Sequence, residues 1–486
     1  MKRLLSVLII LSLFLCACDI PELEEPVMIA SDTTEEYIPN NDVFGVAYAS
    51  NESADPYTSS NKINTELAGL ICEPLFSVSP SFEVTPVLCS DYTYENLRYR
   101  FNIKDGVTFS DGSELRASDV EYSLRAASEY GSFYSTRLSV VQSISSSNKG
   151  GYVEVTLKYD NTRFPALLDI PIIKSGTRHN ALPVGTGLYA PKDDRSALVA
   201  RDGHHSGKTP KYSVISLCDV AGSDELVFEF DTHNVSILTS DPTGTTHIAP
   251  SSAAERISVP TTLMQYIGFN TRHSALANKN VRRAIASAID RENAAQSDFA
   301  LMGNASALPV HPKSAFYKDD YAKNLEYKPD TPISVSEPLT ILVNSENSGK
   351  LAVCKRIAET LTRLGAATTV RALPFAEYTR ALQSGDFTLY YAEVSIGADF
   401  DITRLISGSL NYGGFADASL RSALAGYLAG DEGISHYFEA FCDTVPFAPV
   451  LFKDTAMYTE KNFFETAHPT SQNIYHNFCD WELSKQ

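Results

Sequence analysis

Few patterns in this 486-residue chain have the residue types and spacing that catalysis needs. There is no G-x-S-x-G nucleophile elbow and no H-E-x-x-H zinc motif. Serine and aspartate are abundant, so a triad dispersed along the chain, and with it a secreted hydrolase, stays an open alternative. The pair His204-His205 suggests a metal, but adjacent side chains of an extended segment point to opposite faces. We therefore expect an exposed loop there, with no metal site and no cofactor.

Two further polar motifs have structural explanations. Gly185-Thr186-Gly187 is not followed by a Walker lysine or a dinucleotide fingerprint, so we expect a turn rather than a phosphate loop. The two glycines would supply backbone angles that other residues avoid. We expect Asp290-Arg291 to form an ion pair at a helix end.

The cysteines show no metal-binding spacing. No CxxC motif or Cys/His cluster with zinc spacing occurs. The six cysteines beyond the first eighteen residues allow 15 pairings, and the sequence leaves their pairing open. A bridge between Cys442 and Cys479 is one hypothesis, whereas Cys354 lies on the apolar face of a predicted helix. These six are Cys72, Cys89, Cys218, Cys354, Cys442 and Cys479.

Alternating strands and helices must position whatever site exists. Residues 43–49 form a short apolar run typical of a buried strand, and residues 99–103 and 152–158 alternate as half-buried strands do. The capping-box pattern Ser118-Asp119-Val120-Glu121 predicts a helix that ends near Ser128. Asn278 is a suitable N-cap for a helix whose apolar face carries Val281, Ile285, Ala288 and Ile289.

Residues 338–395 give the clearest fold signal. They read as strand 339–343, a helix from about Lys350 that stops at Gly365, strand 368–373, helix 375–383 and strand 387–394. Short connections between such elements require crossovers, and hence a mostly parallel sheet covered by helices. The fold class is therefore α/β.

The N-terminus has the pattern of an export signal. Lys2 and Arg3 precede an apolar run over residues 4–15, too short to span a bilayer. Leu15-Cys16-Ala17-Cys18 resembles the bacterial lipobox, which implies cleavage after Ala17 and acyl chains such as palmitate on Cys18. An ordinary secretory signal is the alternative. Residues 18–42 are acidic and predict a tether, while the net charge of −19 argues against nucleic acid as a partner.

An ordered set of short segments runs through nearly the whole mature chain. The earlier segments are Glu73-Pro74-Leu75-Phe76, Phe109-Ser110-Asp111-Gly112-Ser113, Val184-Gly185-Thr186-Gly187-Leu188-Tyr189, Phe269-Asn270-Thr271 and Val281-Arg282-Arg283-Ala284. Late in the chain, Phe375-Ala376-Glu377-Tyr378 and Gly385-Asp386-Phe387 follow in order. No single segment is specific, but the ordered set resembles one family: the extracytoplasmic solute-binding proteins, family 5, of oligopeptide and dipeptide ABC importers.

The resemblance implies a two-lobed fold of the periplasmic-binding-protein type, with mixed sheets flanked by helices and a ligand cleft between the lobes. Lobe I would comprise residues 43–75, 175–260 and 440–486. A subdomain over residues 76–174 would be inserted in lobe I, and residues 261–439 would form lobe II. Trp481 is the only tryptophan, and Ile396 stands where relatives commonly carry another, so the aromatic wall of some relatives is missing.

The resemblance also implies the function and its residues. The expected function is a substrate-binding lipoprotein, not an enzyme, that captures peptides outside the membrane of a bacterial cell (in the periplasm of a Gram-negative one). It would act as a monomer and deliver them to an ABC permease and its ATPase subunits. Open alternatives are an oligosaccharide or nickel-chelate ligand and a ligand-sensing role. Gly397-Ala398-Asp399-Phe400-Asp401 resembles the stretch whose carboxylate pairs with the peptide α-ammonium. Asp399 is the first candidate for this role and Asp401 the second; the alternative is that both are solvated loop residues. Asn411 and Tyr412 are further candidates for the lining of the cleft.

Overall fold

The structure, a computed structural model, describes residues 43–245 and 247–484. The predicted signal segment 1–17, the lipidation site Cys18 and the tether 18–42 lie outside these residues and stay predictions. No helix within the described ranges is long and apolar enough to cross a membrane.

Twenty-one strands are described, and most of the predicted ones are confirmed. In chain order they are β1 (Gly45–Tyr48), β2 (Glu73–Pro74), β3 (Phe76–Val78), β4 (Val84–Pro86), β5 (Cys89–Glu95), β6 (Arg98–Ile103), β7 (Val141–Ser147), β8 (Tyr152–Leu157), β9 (Pro171–Ile172), β10 (Tyr189–Pro191), β11 (Ala197–Ala200), β12 (Val214–Asp219), β13 (Ile237–Ser240), β14 (Ala254–Phe269), β15 (Gly303–Ala305), β16 (Leu339–Asn344), β17 (Thr368–Leu373), β18 (Leu389–Ser395), β19 (Phe447–Glu460), β20 (Phe464–Thr466) and β21 (Glu482–Leu483).

The α-helices of the described ranges match the predicted ones to within about two residues. They are α1 (Lys62–Ile71), α2 (Ala117–Ser128), α3 (Ser223–Asp231), α4 (Ser274–Ala277), α5 (Lys279–Ser287), α6 (Arg291–Asn293), α7 (Asp319–Ala322), α8 (Ser348–Arg363), α9 (Phe375–Ser384), α10 (Thr403–Ile406), α11 (Ala418–Ala429) and α12 (Ile434–Thr444). Gly365 follows α8 with a left-handed φ of 105°, and Asn278 caps α5 as predicted.

The folded body has two large hydrophobic cores, which define two lobes. One core draws on chain segments from Phe44 to Val259 and again from Met457 to Trp481. The other lies mainly between Met264 and Phe452. Strands β14 and β19 pass from one core to the other, so they connect the two lobes. The predicted two-lobed α/β fold is confirmed.

The sheet that carries these connections is mixed. Its order is β13-β19-β14-β18-β16-β17, with β15 also paired to β19. Strands β16, β17 and β18 are parallel, as their crossover helices require, whereas β14 pairs antiparallel with both β18 and β19. The prediction of a mostly parallel sheet therefore holds only for residues 339–395.

The first lobe contains two four-stranded sheets. One has the order β1-β12-β11-β10, and the other, β5-β6-β8-β7, is a purely antiparallel sheet within the predicted inserted subdomain. Their buried residues form one continuous core, so packing does not separate the subdomain from the rest of lobe I.

A break in pairing marks the passage between the lobes. The register of β14 against β19 shifts between Val259 and Leu263. Pro260 lies inside this break and has no N–H to donate to the ladder. The Thr261 hydroxyl instead donates to the Lys453 carbonyl at 2.5 Å and accepts from the Leu263 amide at 2.9 Å. A side chain thus replaces two of the missing backbone contacts.

The observed cores place two lobe boundaries differently from the prediction. Val78 and Phe82, which fall in the predicted subdomain, pack in the lobe II core. On the return path, residues 447–452 also belong to lobe II, so the chain re-enters lobe I between Phe452 and Met457 rather than at residue 440. The reason is that α12 and the first half of β19 carry continuous apolar faces that the second core buries.

Three local predictions were wrong. Helix α2 begins at Ala117, and the Asp119 carboxylate accepts from the Arg116 amide at 2.9 Å, so Ser118 is not the cap. Gly185 does not have a left-handed φ; it is required because the Cβ of any other residue would lie 1.9 Å from the Ile71 carbonyl oxygen. Arg291 forms no ion pair with Asp290 and is buried among the carbonyls of Pro449, Ile289 and Leu325.

The cysteines of the described ranges are all free thiols. Cys442 lies in the lobe II core, where its thiol contacts the Tyr321 carbonyl oxygen at 3.5 Å, and Cys479 neighbours Phe478 of the lobe I core. The hypothesis of a Cys442–Cys479 bridge is therefore wrong. Cys354 is a buried core residue, as predicted.

Candidate ligand-binding cleft

A cavity of about 790 Å³ lies where the two lobes meet. This volume is typical of sites for small ligands. Its walls come from lobe I, from the break in β14, and from the segment that follows β18 in lobe II. Eight charged side chains line it: Lys62, Glu66, Arg137, Asp169, Glu393, Asp399, Asp401 and Arg404.

The loop after β18 brings two carboxylates to the cavity. Ligands of α/β sheets bind beyond the carboxyl ends of the parallel strands, and β18 ends at Ser395 directly before this loop. Phe400 adopts a left-handed φ of 55° and is completely buried, with its ring 5.4 Å from Phe82. Because Phe400 is anchored inward, the flanking Asp399 and Asp401 are held at the cavity wall.

Asp399 is a buried carboxylate, with 3% of its surface exposed. Its Oδ2 accepts from the Asn161 amide of lobe I at 2.9 Å, and its Oδ1 accepts from the Asp401 amide at 3.3 Å. The Tyr427 hydroxyl donates to the Asp399 carbonyl oxygen at 3.0 Å. Two hydrogen bonds therefore hold the carboxylate and a third holds the backbone of this residue, while no cationic side chain of the described residues forms an ion pair with it.

The same burial makes the negative charge of Asp399 costly. Desolvation raises the pKa of Asp399 to about 7, the nearby Asp401 charge adds to the rise, and the Asn161 hydrogen bond opposes it. Asp401 is better solvated and is stabilised by hydrogen bonds from the Tyr159 hydroxyl at 2.9 Å and the Thr403 amide at 2.7 Å. A bound cation would therefore gain most from Asp399.

A second group of polar residues faces the cavity from lobe I. The Arg137 guanidinium donates to the Asp169 carbonyl at 3.2 Å and to the Gln472 side chain at 2.5 Å. Burial raises the pKa of Asp169 to about 6, against the influence of Arg137, and lowers the pKa of Arg137. Both ionisable groups are thus partly desolvated before any ligand binds.

Arg404 provides a positive charge on the lobe II side. It lies at the second position of α10 and is partly buried. Within residues 43–245 and 247–484 its guanidinium has no hydrogen-bond or ion-pair partner. A partly desolvated cation without an internal partner is suited to a ligand carboxylate.

The structure brings together only some of the predicted site residues. Ala398, Asp399 and Asp401 line the cavity. Phe400 packs behind the wall rather than in it. Asn411 and Tyr412 do not line the cavity. The Asn411 amide closes its own loop onto the Ile406 and Phe415 carbonyls, and the Tyr412 ring packs edge-on against Tyr390.

Several cavity residues were missed by sequence reasoning. Glu393 and Arg404 flank the predicted loop, and the rule that ligands bind at strand carboxyl ends could have indicated them. Tyr159 and Arg137 also line the cavity and carry no such signal in the sequence. Asn161 does not line the cavity, but it bonds to Asp399 through the packing of lobe I against lobe II. Asn161 is the clearest example, since the residue it contacts lies 238 positions away in the chain.

The structure also bears on the predictions for Trp481 and for the pair His204-His205. Trp481 lies fully buried in the lobe I core, so it forms no wall of the cavity. The prediction that His204 and His205 form an exposed, non-convergent loop was wrong. Both side chains are mostly buried and turn toward the Glu73 carboxylate.

Two lobes, two connecting strands and a charged cavity between them define a solute-binding protein of the periplasmic type. The model of the bacterial extracellular solute-binding proteins, family 5 (middle region), matches residues 83–409. This chain belongs to that family, whose members bind solutes rather than transform them, so the predictions of the family and of a non-enzyme are confirmed.

The individual proteins that resemble this chain do so at low sequence identity. The glutathione-binding protein GsiB of Escherichia coli K12 is 24% identical over 313 residues, which cover 60% of each chain. The chain thus aligns with about three fifths of the length of the curated relatives it matches. The periplasmic murein tripeptide-binding protein MppA, in its unliganded open form, superimposes with a TM-score of 0.70 at 14% identity over 88% of this chain and 95% of that one. NikZ of Campylobacter jejuni, in complex with Ni(L-His), superimposes with a TM-score of 0.59 at 16% identity over 92% of this chain and 100% of that one.

Proposed function

We propose that this protein captures short peptides in the cavity between its lobes and delivers them to an ABC permease. The observation that carries the proposal is the buried Asp399 carboxylate, which lines the cavity and lacks a cationic partner among the described residues. A peptide α-ammonium supplies that partner, and the resulting charge-assisted hydrogen bond contributes about 1.5–3 kcal/mol. The printed names of GsiB and MppA, binders of glutathione and of a murein tripeptide, support the same ligand class.

The charges of the cavity match a zwitterion. Asp399 offers a negative group on the lobe II loop, and Arg404 offers a positive group on the same lobe. A peptide with a free amino end and a free carboxyl end carries the complement of each of these charges. A neutral oligosaccharide would leave the two charges partly desolvated and unpaired, which is unfavourable.

Release and capture would involve movement of the lobes about β14 and β19. The register break at Pro260 is the point where β14 has fewest backbone bonds to its neighbour. We propose that hinge bending is concentrated there and between Phe452 and Met457 on β19, where the chain changes cores. Small-angle scattering should then show a lower radius of gyration with saturating ligand than without it.

The lipid anchor and the monomeric state remain part of the proposal. Mass spectrometry of the membrane fraction should find acyl chains on Cys18 after removal of residues 1–17, and Cys18→Ser should release the protein from the membrane. Size-exclusion chromatography with light scattering should give the mass of one chain.

A thermal-shift screen tests the ligand class directly. Short peptides with free termini should raise the unfolding temperature, with a stabilisation of about 2.7 kcal/mol at 100 times Kd. The same plate should include oligosaccharides and nickel–histidine. Stabilisation by nickel–histidine alone, the kind of ligand named for NikZ, would reassign the ligand. A deletion of the cognate permease that leaves peptide uptake intact would point to a sensing role.

A further inference from the structure

Glu73, His204 and His205 form a second cluster of polar side chains, in lobe I. Each offers one ligand atom, and these three atoms lie within 4.8 Å of one another. None of the three residues lines the cavity between the lobes. Their side chains are 17%, 4% and 13% exposed, respectively, so the cluster is largely shielded but reachable from solvent. We propose that it binds a divalent transition-metal ion, and that Zn²⁺ is the ion it suits best.

The local backbone explains why the two histidines converge. Gly203 and Gly207 flank them with φ values of 65° each, which only glycine adopts readily. The chain therefore turns at the pair instead of running extended. The two rings come to lie 4.4 Å apart at an angle of 42°, on the same side of the turn. Alternation, which would separate them, does not apply to this conformation.

The spacing of the ligand atoms is compatible with a tetrahedral ion. His205 Nε2 lies 2.7 Å from Glu73 Oε2, and His204 Nε2 lies 3.7 Å from the same oxygen. Bonds of about 2.0–2.2 Å in tetrahedral geometry hold ligand atoms roughly 3.4 Å apart. One of these separations is shorter than that value and the other is longer, and all three ligand atoms lie within 4.8 Å of one another, so side-chain adjustments without a change of the backbone would accommodate the ion. Two imidazoles and one carboxylate leave a fourth position for water.

Neighbouring groups can orient His204 as a ligand. Its Nδ1 lies 2.8 Å from the Ser206 hydroxyl, and its Nε2 lies 2.9 Å from the Thr186 carbonyl oxygen. When Nε2 binds the ion, the ring proton moves to Nδ1 and donates to the Ser206 hydroxyl oxygen, as ligating histidines commonly do. The Ser206 backbone amide, which donates to Nδ1 at 3.3 Å, then loses that bond. Thr186 loses one partner but still accepts from Arg201 Nη1 at 2.8 Å.

The charge of the cluster favours a cation. Glu73 supplies the carboxylate of the cluster, and among the described residues no Lys or Arg side chain forms an ion pair with it. Arg201 is the opposing positive charge, but its guanidinium is directed at the carbonyls of Thr186, Gly187, Thr108 and Phe109. Nitrogen and oxygen donors in this ratio select Zn²⁺, Ni²⁺ or Cu²⁺ and disfavour Mg²⁺ and Ca²⁺, which prefer oxygen alone.

An ion here would connect two parts of lobe I. Glu73 begins β2, which pairs with β9 at the end of the predicted subdomain, whereas the histidines lie in the loop between β11 and β12. Binding at this point would stabilise lobe I and leave the peptide cavity unchanged. The proposal is therefore independent of the proposed function.

Calorimetric titration of the chelator-treated protein with ZnCl₂, without peptide, tests the site. We expect one equivalent of saturable binding and an unfolding temperature that rises with zinc concentration. His205→Asn should weaken zinc binding by at least about tenfold, and Ser206→Ala by about tenfold, the loss usual for an orienting partner. The matched control His179→Asn changes an exposed histidine and should bind as the parent does.

Two results would overturn the proposal. One is the absence of saturable zinc binding by the parent protein. The other is equal zinc binding by the His205→Asn and His179→Asn proteins, which would place the ion elsewhere. The spectrum of bound Co²⁺ adds a structural readout, because its visible bands should disappear in His205→Asn. Far-ultraviolet circular dichroism of the metal-free His205→Asn protein checks the fold of the variant and should match the parent.

Discussion

The affinity for peptides with a free amino group should increase with pH up to about pH 7. Asp399 is protonated below its raised pKa of about 7, whereas pairing with an ammonium requires the carboxylate. A positive neighbour lowers a carboxyl pKa by about 1–3 units, so the ionised form binds the peptide more tightly by about 1.4–4 kcal/mol. Between pH 5 and pH 7 the Kd should therefore fall by about fivefold to fiftyfold. Above about pH 8 the peptide amine itself loses its proton and affinity should fall again.

Calorimetry of one peptide across this pH range, in free and N-acetylated forms, measures the effect. Asp399→Asn should bind the free peptide weakly and without the pH slope. Asp401→Asn should shift the slope to lower pH, because it removes the negative charge that helps to raise the pKa of Asp399. Asp169 has a raised pKa of about 6 and also faces the cavity, so Asp169→Asn is the control that should keep the slope. Equal slopes in the parent and Asp399→Asn, or for free and acetylated peptides, would refute the pairing of Asp399 with the amine.

Ionisation of Asp399 should strengthen peptide binding but lower the free energy of unfolding of the ligand-free protein. A folded-state pKa raised from 3.8 to about 7 stabilises the protein below about pH 4, and this contribution is lost as pH rises through 7. The loss is about 4 kcal/mol at most. Without ligand, Asp399→Asn should therefore be more stable than the parent at pH 8, relative to the difference at pH 4, in denaturant titrations. A parent and variant with parallel pH profiles would contradict the burial of an ionisable group at this position.

Three further outcomes are expected. Asn161→Ala should cost about 1–3 kcal/mol in denaturant unfolding and move the pH slope of peptide binding upward, because Asp399 loses the hydrogen bond that lowers its pKa; an unchanged slope would show that this bond does not tune the site. Arg404→Gln should weaken binding of peptides with a free carboxyl terminus while sparing C-terminal amides in the same calorimetric assay, and equal losses would remove Arg404 from ligand binding. Gly185→Ala should destabilise the protein by more than about 3 kcal/mol, since its Cβ would overlap the Ile71 carbonyl, whereas Gly222→Ala, which meets nothing within 4 Å, should be nearly neutral by thermal unfolding.

The sequence predicted most of what local patterns determine. Helix α8 and the strands on either side appeared at the expected places because apolar periodicity, the stop at Gly365 and short loops all act within a few residues. The loop that carries Asp399 was identified from its resemblance to a family motif. Its position at the end of β18 agrees with the general location of ligand sites in α/β sheets.

Other parts depended on contacts between distant segments. Asn161 bonds to Asp399, and Arg163 pairs with Asp431, only because lobe I packs on lobe II. The convergence of His204 and His205 on Glu73 was missed because it joins distant segments within lobe I, and because two left-handed glycines turn the chain at the histidines. Gly185 illustrates a third limit of sequence-based prediction. A side chain at this position would collide with Ile71, 114 positions earlier, but the sequence does not distinguish such a glycine from one that is needed for a left-handed φ.

Trp481 is the only tryptophan of the chain and lies in lobe I, which has a practical consequence for spectroscopy. Its indole packs against Phe464 and Phe478 and donates to the His476 carbonyl, all within one half of the molecule. Tryptophan emission, excited selectively at long wavelength, would thus report the unfolding of lobe I alone, while tyrosine signals and circular dichroism would average over the whole body. A mismatch between the two midpoints would reveal that the halves unfold in separate steps. The described residues that line the cavity include no tryptophan, so an indole introduced there would serve as a separate optical reporter of occupancy.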